Sequence, residues 1–329
     1  MRRPVQLSYF LFASLLILMG VLHLATPFLT ILVGFFVLQK LEQLTRSRVW
    51  AISLMVVLMT LLGWGSVYFA RQMITGMPEL MAKTIPAMID YLDSHGVRLP
   101  FDDIQGLKSM IVETIQKQWG NVGKIAGIVV HQAAFAIIGM VISIGLFLNK
   151  EVDLERHTHK IPNNYYTTTM DALADRFRTF YHSFERVMGA QFTISILNTG
   201  FTSIFITLCH LPYAIMLIGV TFLCGLLPII GNLISNTVII GVAFSISPKT
   251  ALASLVFLVI IHKLEYFLNS KIIGDRIKNP VWLTLLGLLI GERILGIPGM
   301  ILAPVLLNFI KVDSSLKPAQ PDEIGTESK

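Results

Sequence analysis

The chain has 329 residues, of which 54% are hydrophobic and 14% charged, with a net charge of +6. Soluble globular domains carry about 25% charged residues, so this balance, with a mean hydropathy of +0.69, excludes an ordinary soluble domain and points to an all-α polytopic membrane protein. The Lys and Arg lie between apolar runs rather than in one patch, which excludes a nucleic-acid surface and makes them topology signals.

Met1-Arg2-Arg3 precedes an apolar run, Ser8–Val37, that continues through Thr26-Pro27 without an A-x-A-like site. The run therefore reads as an uncleaved membrane segment. Tyr9–Leu24 and Pro27–Leu38 are its two short arms, forming either a tight helical hairpin or two spans extended by their flanks. Arg2 and Arg3 before them, and Lys40, Arg46 and Arg48 after them, place both ends in the cytoplasm by the positive-inside rule.

Val49–Phe69 is a clean span ending outside near Arg71. Residues 73–124 then turn mixed and charged, with Glu79, Asp90, Asp93, Asp102, Asp103 and Glu113. Met77, Leu80, Met81, Met88 and Leu92 follow helical spacing, with a kink expected before Pro86. Gly96–Pro100 reads as a loop, and Asp102-Asp103 as the cap of a second helix. This stretch is either a small helical periplasmic insert or a solvated linker on the membrane surface.

Ile125–Leu148 runs back inward, with His131 and Gln132 near its outer end; a proton-relay role for His131 stands beside a plain structural one. In 149–186, Met170, Leu173, Phe177, Phe180 and Phe184 form one helical stripe. That stripe lies on the membrane, packs on the core or meets another subunit. Glu155, His157 and His159 lack further ligands, so a solvated loop is expected there and not a metal site. Val187–Cys209 returns outward carrying Gln191, Asn198 and Thr199, residue types that bond across helices inside a membrane. Cys209 and Cys224, the two cysteines, suit no disulfide framework or CxxC metal pattern.

Tyr213–Phe244 is too long for one span and is interrupted at Gly225, Pro228 and Gly231-Asn232. Ala251–Ile261 runs inward to His262, Lys263, Glu265 and Asn269, then to a cytoplasmic segment with Lys271, Asp275, Arg276 and Lys278. Pro280–Pro304 is apolar but broken. A crossing needs about 20 apolar residues, and Val281–Ile290 supplies roughly 15 Å of helix. Gly291-Glu292-Arg293 is the expected polar tip, followed by Gly296, Pro298, Gly299 and Pro304. Two half-length arms read as a re-entrant hairpin, which must sit in protein or against a water-filled cavity. The tail after Lys311, rich in Pro, Asp, Glu and Ser, is expected to be disordered.

The expected organisation is a membrane hairpin and span (1–72), the insert (73–124), a span (125–148), an amphipathic cytoplasmic segment (149–186), a core with broken hairpins (187–312) and a tail (313–329). That makes about seven or eight membrane segments. Paired Gly/Pro-broken segments are the best sequence pointer to a transporter binding site, because broken helix ends expose N–H and C=O groups to a polar solute. The candidate substrate residues are Asn232, Ser235, Asn236, Glu265, Asn269, Glu292 and Arg293. The hinge candidates are Gly225, Pro228, Gly231, Gly274, Pro280, Gly291, Gly296, Pro298, Gly299 and Pro304. For Glu265 the alternative reading is an interfacial salt bridge with Lys263 or Arg276, and for Glu292 a tip that reaches polar surroundings. No HExxH, GxSxG or P-loop pattern suggests an enzyme, and no cofactor is expected.

At Leu227-Pro-Ile-Ile-Gly231, Glu265 through Lys271-Ile-Ile-Gly274 to Asn279-Pro280, Gly291, Gly296-Ile-Pro-Gly299 and Ala303-Pro304, the chain resembles the autoinducer-2 exporter (AI-2E) family of bacterial inner-membrane proteins. The resemblance covers roughly residues 5–312 and is most specific in the C-terminal third. Many members carry His-Pro where this chain has Asn279-Pro280, and a Gln near the position of His262. The resemblance implies an efflux carrier in the inner membrane, forming a homo-oligomer, a pentamer, whose broken hairpins move as a unit. It associates members with export of the furanosyl signal autoinducer-2, and others with sodium or lithium for proton antiport. Three readings follow: an exporter of a small polar solute, a monovalent cation/proton antiporter, and a non-transport scaffold. The shortage of membrane carboxylates favours the first over the second, and the broken hairpins leave the scaffold last.

Overall fold

The computed structural model describes residues 3–95, 113, 122–149, 151, 156–161, 163–227, 230–273 and 280–315. Among them every regular element is helical. In chain order they are α1 (Arg3–Val21), α2 (Ala25–Thr45), α3 (Arg48–Ser94), α4 (Val122–Leu148), a 3-10 turn (Arg156–Thr158), α5 (Tyr165–Leu208), α6 (Ala214–Gly225), α7 (Ile230–Ile246), α8 (Pro248–Ile273), α9 (Val281–Leu295) and α10 (Ile297–Ser315). Arg3–Val21, Ala25–Thr45, Arg48–Gly76, Val130–Leu148, Tyr165–Leu208 and Ile297–Ser315 are long and apolar enough to cross a membrane, and α6 and α7 are shorter apolar helices. The outward surface carries Trp50, Leu61, Leu62, Trp64 and Val67, all exposed. Apolar cover on that scale belongs in lipid rather than water, so the chain is a polytopic membrane protein.

The two N-terminal arms are separate helices of 19 and 21 residues, extended by their flanks. They turn at His23, whose φ is 54°, and Pro27 sits within the first turn of α2, where a missing N–H costs nothing. Three boundaries expected from composition leave no mark on the backbone. Helix α3 runs 47 residues through position 72, α5 runs 44 residues through position 186, and α8 continues past Ile261 to Ile273. Charged residues are good helix formers, so a change from apolar to mixed composition alters what a helix faces without ending it. The expected loop at Gly96–Pro100, the Asp102-Asp103 cap and most of the tail lie outside the described residues.

The chain forms two compact units. One comprises residues 1–36, 139–189 and 275–329; the other comprises 37–138 and 190–274. In the first unit, Phe12 packs on Phe177 and Phe309 with ring centroids 5.1 Å apart in both pairs, and Phe180 packs on Phe309 at 5.6 Å. Phe180 and Phe184 are buried. The amphipathic stripe of α5 therefore packs on the core of its own unit. Beside it, the Arg176 guanidinium lies 3.7 Å over the Tyr9 ring, and the Tyr9 hydroxyl donates to Asp313 Oδ2 at 2.6 Å. In the second unit, α6, α7 and α8 pack in sequence and α3 lies along α6 and α7. Its core is built around Ile206, Leu217, Ile239 and Val242.

Candidate functional site

Each unit contains one helical hairpin made by a Gly/Pro break. In the second unit the break separates α6, 12 residues, from α7, 17 residues. At about 1.5 Å per residue these are roughly 18 and 26 Å long, short of the ~30 Å hydrocarbon core. The turn is tight: a Cβ on Gly231 would strike the Cys224 carbonyl oxygen, so only glycine fits. Leu226 and Leu227 donate N–H bonds back to Leu223 O and Cys224 O at 3.2 and 2.8 Å.

A helix that stops inside a membrane leaves carbonyls without donors. Helix α5 supplies them. Gln191 Nε2 donates to Gly225 O at 2.6 Å, and Ser195 Oγ donates to Phe222 O at 2.8 Å. Gln191 and Ser195 are four apart and so share one face of α5. The same face continues to Asn198, whose Nδ2 donates to Asn232 Oδ1 at 3.3 Å. Asn232, in the first turn of α7, donates from Nδ2 to Glu265 Oε2 on α8 at 2.6 Å. A polar line thus runs Asn198, Asn232, Glu265 across three helices and ends on a carboxylate. Asn198 and Glu265 also line a small cleft with Ile194, Phe201, Ile261 and Leu264. The half-buried Glu265 carboxylate and the Asn198 amide face this cleft, which has room for about one water, and Asn232 is bonded to both; such a group can take up a proton, hold a small cation or offer hydrogen bonds to one polar group of a solute.

The structure therefore brings Asn232 and Glu265 together and adds Asn198. Ser235 is buried beside them, and its Oγ donates to Asn232 O at 3.3 Å, back-bonding within α7. Asn236 is half-buried. Asn269 lies on α8, one turn beyond Glu265, with its side chain outside the described residues, as are Pro228, Gly274 and Arg276. Lys263, the other salt-bridge candidate for Glu265, is exposed. His131 is exposed and rests on Phe135 of its own helix, ring centroids 4.6 Å apart. Among the described residues no cluster of His, Cys, Asp and Glu could hold a metal ion.

In the first unit the hairpin is α9–α10. The chain turns at Gly296, at φ 65° and ψ −148°, a conformation that excludes side chains. The expected tip at Gly291-Glu292-Arg293 is instead the last turn of α9, since α9 runs on to Leu295 and Glu292 O accepts the Gly296 N–H at 2.7 Å. Glu292 and Arg293 are both exposed. Gly291 and Gly299 allow the two backbones to touch: a Cβ on either would strike the carbonyl oxygen of the other. Pro280 precedes the first helix, Pro298 lies in the first turn of the second, and Pro304 lies inside it.

Asn198 and its partner Asn232 each carried a sequence signal, a polar amide within an apolar span and a polar residue at a break, but nothing in the sequence paired them across 34 residues. The Tyr9–Asp313 bond joins residues 304 positions apart and was invisible to any local pattern.

Comparison with known proteins agrees with this architecture. The sequence profile described as AI-2E family transporter matches residues 7–314. The YdbI protein of Bacillus subtilis (strain 168), named as a candidate transport protein, is 25% identical over 322 residues, covering 91% of this chain and 89% of that one. Two hairpins made by glycine and proline breaks, several apolar spans around them, and a profile match over nearly the whole chain lead to one conclusion: the protein belongs to the AI-2E family of transporters.

Proposed function

We propose that this transporter is a secondary carrier that exports a small polar solute, an autoinducer-2-like signal by family association, and that it is no enzyme. The supporting observation is the Asn198–Asn232–Glu265 line at the α6–α7 break. Two neutral amides and one carboxylate suit a neutral, hydrogen-bonding solute better than a strongly charged one. We place the carrier in the bacterial inner membrane with both termini cytoplasmic, from the basic flanks, and as a homo-oligomer, from family resemblance. Residues 73–124 are its non-cytoplasmic insert, 149–186 its cytoplasmic segment and 187–312 its moving core.

A second reading, monovalent cation/proton antiport, draws on the same carboxylate, because Glu265 is half-buried and tied to the hairpin break. Proteoliposomes carrying a pH gradient separate the two. Counterflow of the labelled furanosyl solute, with no effect of Na+ or Li+, supports the exporter. Cation-dependent collapse of the gradient, lost in Glu265→Gln, supports the antiporter and overturns the first reading.

A further inference from the structure

Asn308 lies on α10 with 1% of its surface exposed. Neither its Oδ1 nor its Nδ2 has a hydrogen-bond partner among the described residues. Buried amides are nearly always paired, and an Asn open at both ends, inside a helix of a transport hairpin, calls for a partner of its own. A second feature lies on the same helix. Pro304 has no N–H, so the carbonyl of Met300, itself buried, lacks its helical donor. Met300, Pro304 and Asn308 recur every four residues and so run along one edge of α10. The open Met300 carbonyl and the Asn308 amide therefore share one edge of the helix, two turns apart in sequence.

These atoms set the chemistry of the missing partner. Asn308 Oδ1 needs a donor and Asn308 Nδ2 needs an acceptor, and Met300 O, two turns away, needs a donor of its own. A bare monovalent cation serves an oxygen and leaves the amide hydrogens open. One hydroxyl, with a single O–H and two lone pairs, serves both ends of the amide, and a second hydroxyl serves Met300 O. We infer that Asn308 is a binding position for a hydroxyl group of the transported solute, reached when the α9–α10 hairpin opens to water; this rests on the carrier reading above. A resident water offers the same hydrogen bonds, and the experiment separates the two sources.

In the full-length reconstituted protein, with Cys209 and Cys224 replaced by Ser, Asn308→Cys and Val305→Cys are exposed to a water-borne methanethiosulfonate reagent. Val305, fully buried on the same helix, is the control. An open state populated at about 0.1–10% makes Asn308→Cys react roughly 10- to 1,000-fold slower than an exposed cysteine, while Val305→Cys stays unlabelled. An unreactive Asn308→Cys means a sealed water and overturns the inference. Glycerol, the hydroxyl probe, raises the thermal midpoint of the parent protein more than that of Asn308→Leu, and Na+ at equal osmolarity shifts both alike. An equal glycerol effect on the two proteins, or a larger Na+ effect on the parent, overturns the ligand class. Labelling needs no flux, so it stays readable if the carrier reading fails in the proteoliposome assay. Asn308→Leu gives an independent readout. Its thermal midpoint holds or rises if the amide's partner comes from solution, and a drop of several degrees marks a structural water and overturns the inference.

Discussion

Gly291 and Gly299 stand back to back across the α9–α10 hairpin, each occupying the space that a side chain on the other would need. Both sit in ordinary helical backbone, so their role is closeness of approach and not conformational freedom; only Gly296 contributes the latter. Gly291→Ala or Gly299→Ala pushes one carbonyl off the other helix and forces the arms apart. Overpacking of this kind costs about 1–3 kcal/mol. The thermal midpoint of purified protein should fall for either variant, and further for the pair. Gly287→Ala should be milder, because its new methyl meets the flexible end of Leu307 at 3.1 Å.

The bond from Asn232 to Glu265 is short and ends on a carboxylate. Hydrogen bonds to charged groups contribute about 1.5–3 kcal/mol. Asn232→Ala, Glu265→Gln and the double variant form a cycle whose coupling should be of that order in unfolding measurements. In flux assays Glu265→Gln should abolish transport under either proposed reading, whereas Asn198→Ala should reduce it without abolishing it. Full transport by Glu265→Gln would remove this line from the mechanism.

Gln191 seals the end of α6 by donating to Gly225 O. Gln191→Leu keeps the volume and leaves that carbonyl unpaired. The cost of an unsatisfied buried acceptor is about 1–3 kcal/mol, and it should appear as fraying of α6: faster backbone hydrogen exchange at residues 222–227 than in the parent protein. Gly225→Ala should be worse, because its methyl would lie 2.6 Å from Ser195 Oγ.

Tyr9 joins α1 to the end of α10 through its hydroxyl and to α5 through its ring. Tyr9→Phe keeps the ring under Arg176 and removes the bond to Asp313, so the loss should be about 1.5–3 kcal/mol. Arg176→Met removes the cation over the ring, worth about 2 kcal/mol when desolvated. Both losses are read as shifts in the unfolding midpoint. The two changes together should cost less than their sum, since the residues act on one cluster.

What the sequence disclosed followed the reach of each signal. Glycine and proline act on their own backbone, so the breaks at Gly225–Gly231 and Pro280–Pro304 were readable, although the turn fell at Gly296 and not at the charged pair. Asn232 and Glu265 stood out as polar groups beside those breaks. Their bond did not, because α7 and α8 set it by packing. The Phe177, Phe180 and Phe184 stripe announced a buried face but not its partners, Phe12 and Phe309, which come from opposite ends of the chain. Helix ends were least legible at positions 72 and 186, where charge appears and the backbone carries on.

Helix α3 has 47 residues, roughly 70 Å at 1.5 Å per residue, more than twice the ~30 Å thickness of a hydrocarbon core. Its length is in firm contact with the broken hairpin: Phe69 meets Gly219, Gly76 meets Tyr213, Thr84 meets Gly241, and Tyr91 meets Phe244. A continuous helix of that length can carry a displacement from one end to the other. Whatever grips α3 beyond the bilayer therefore has a mechanical hold on α6 and α7, and the hairpin in turn can signal its position to that distant end.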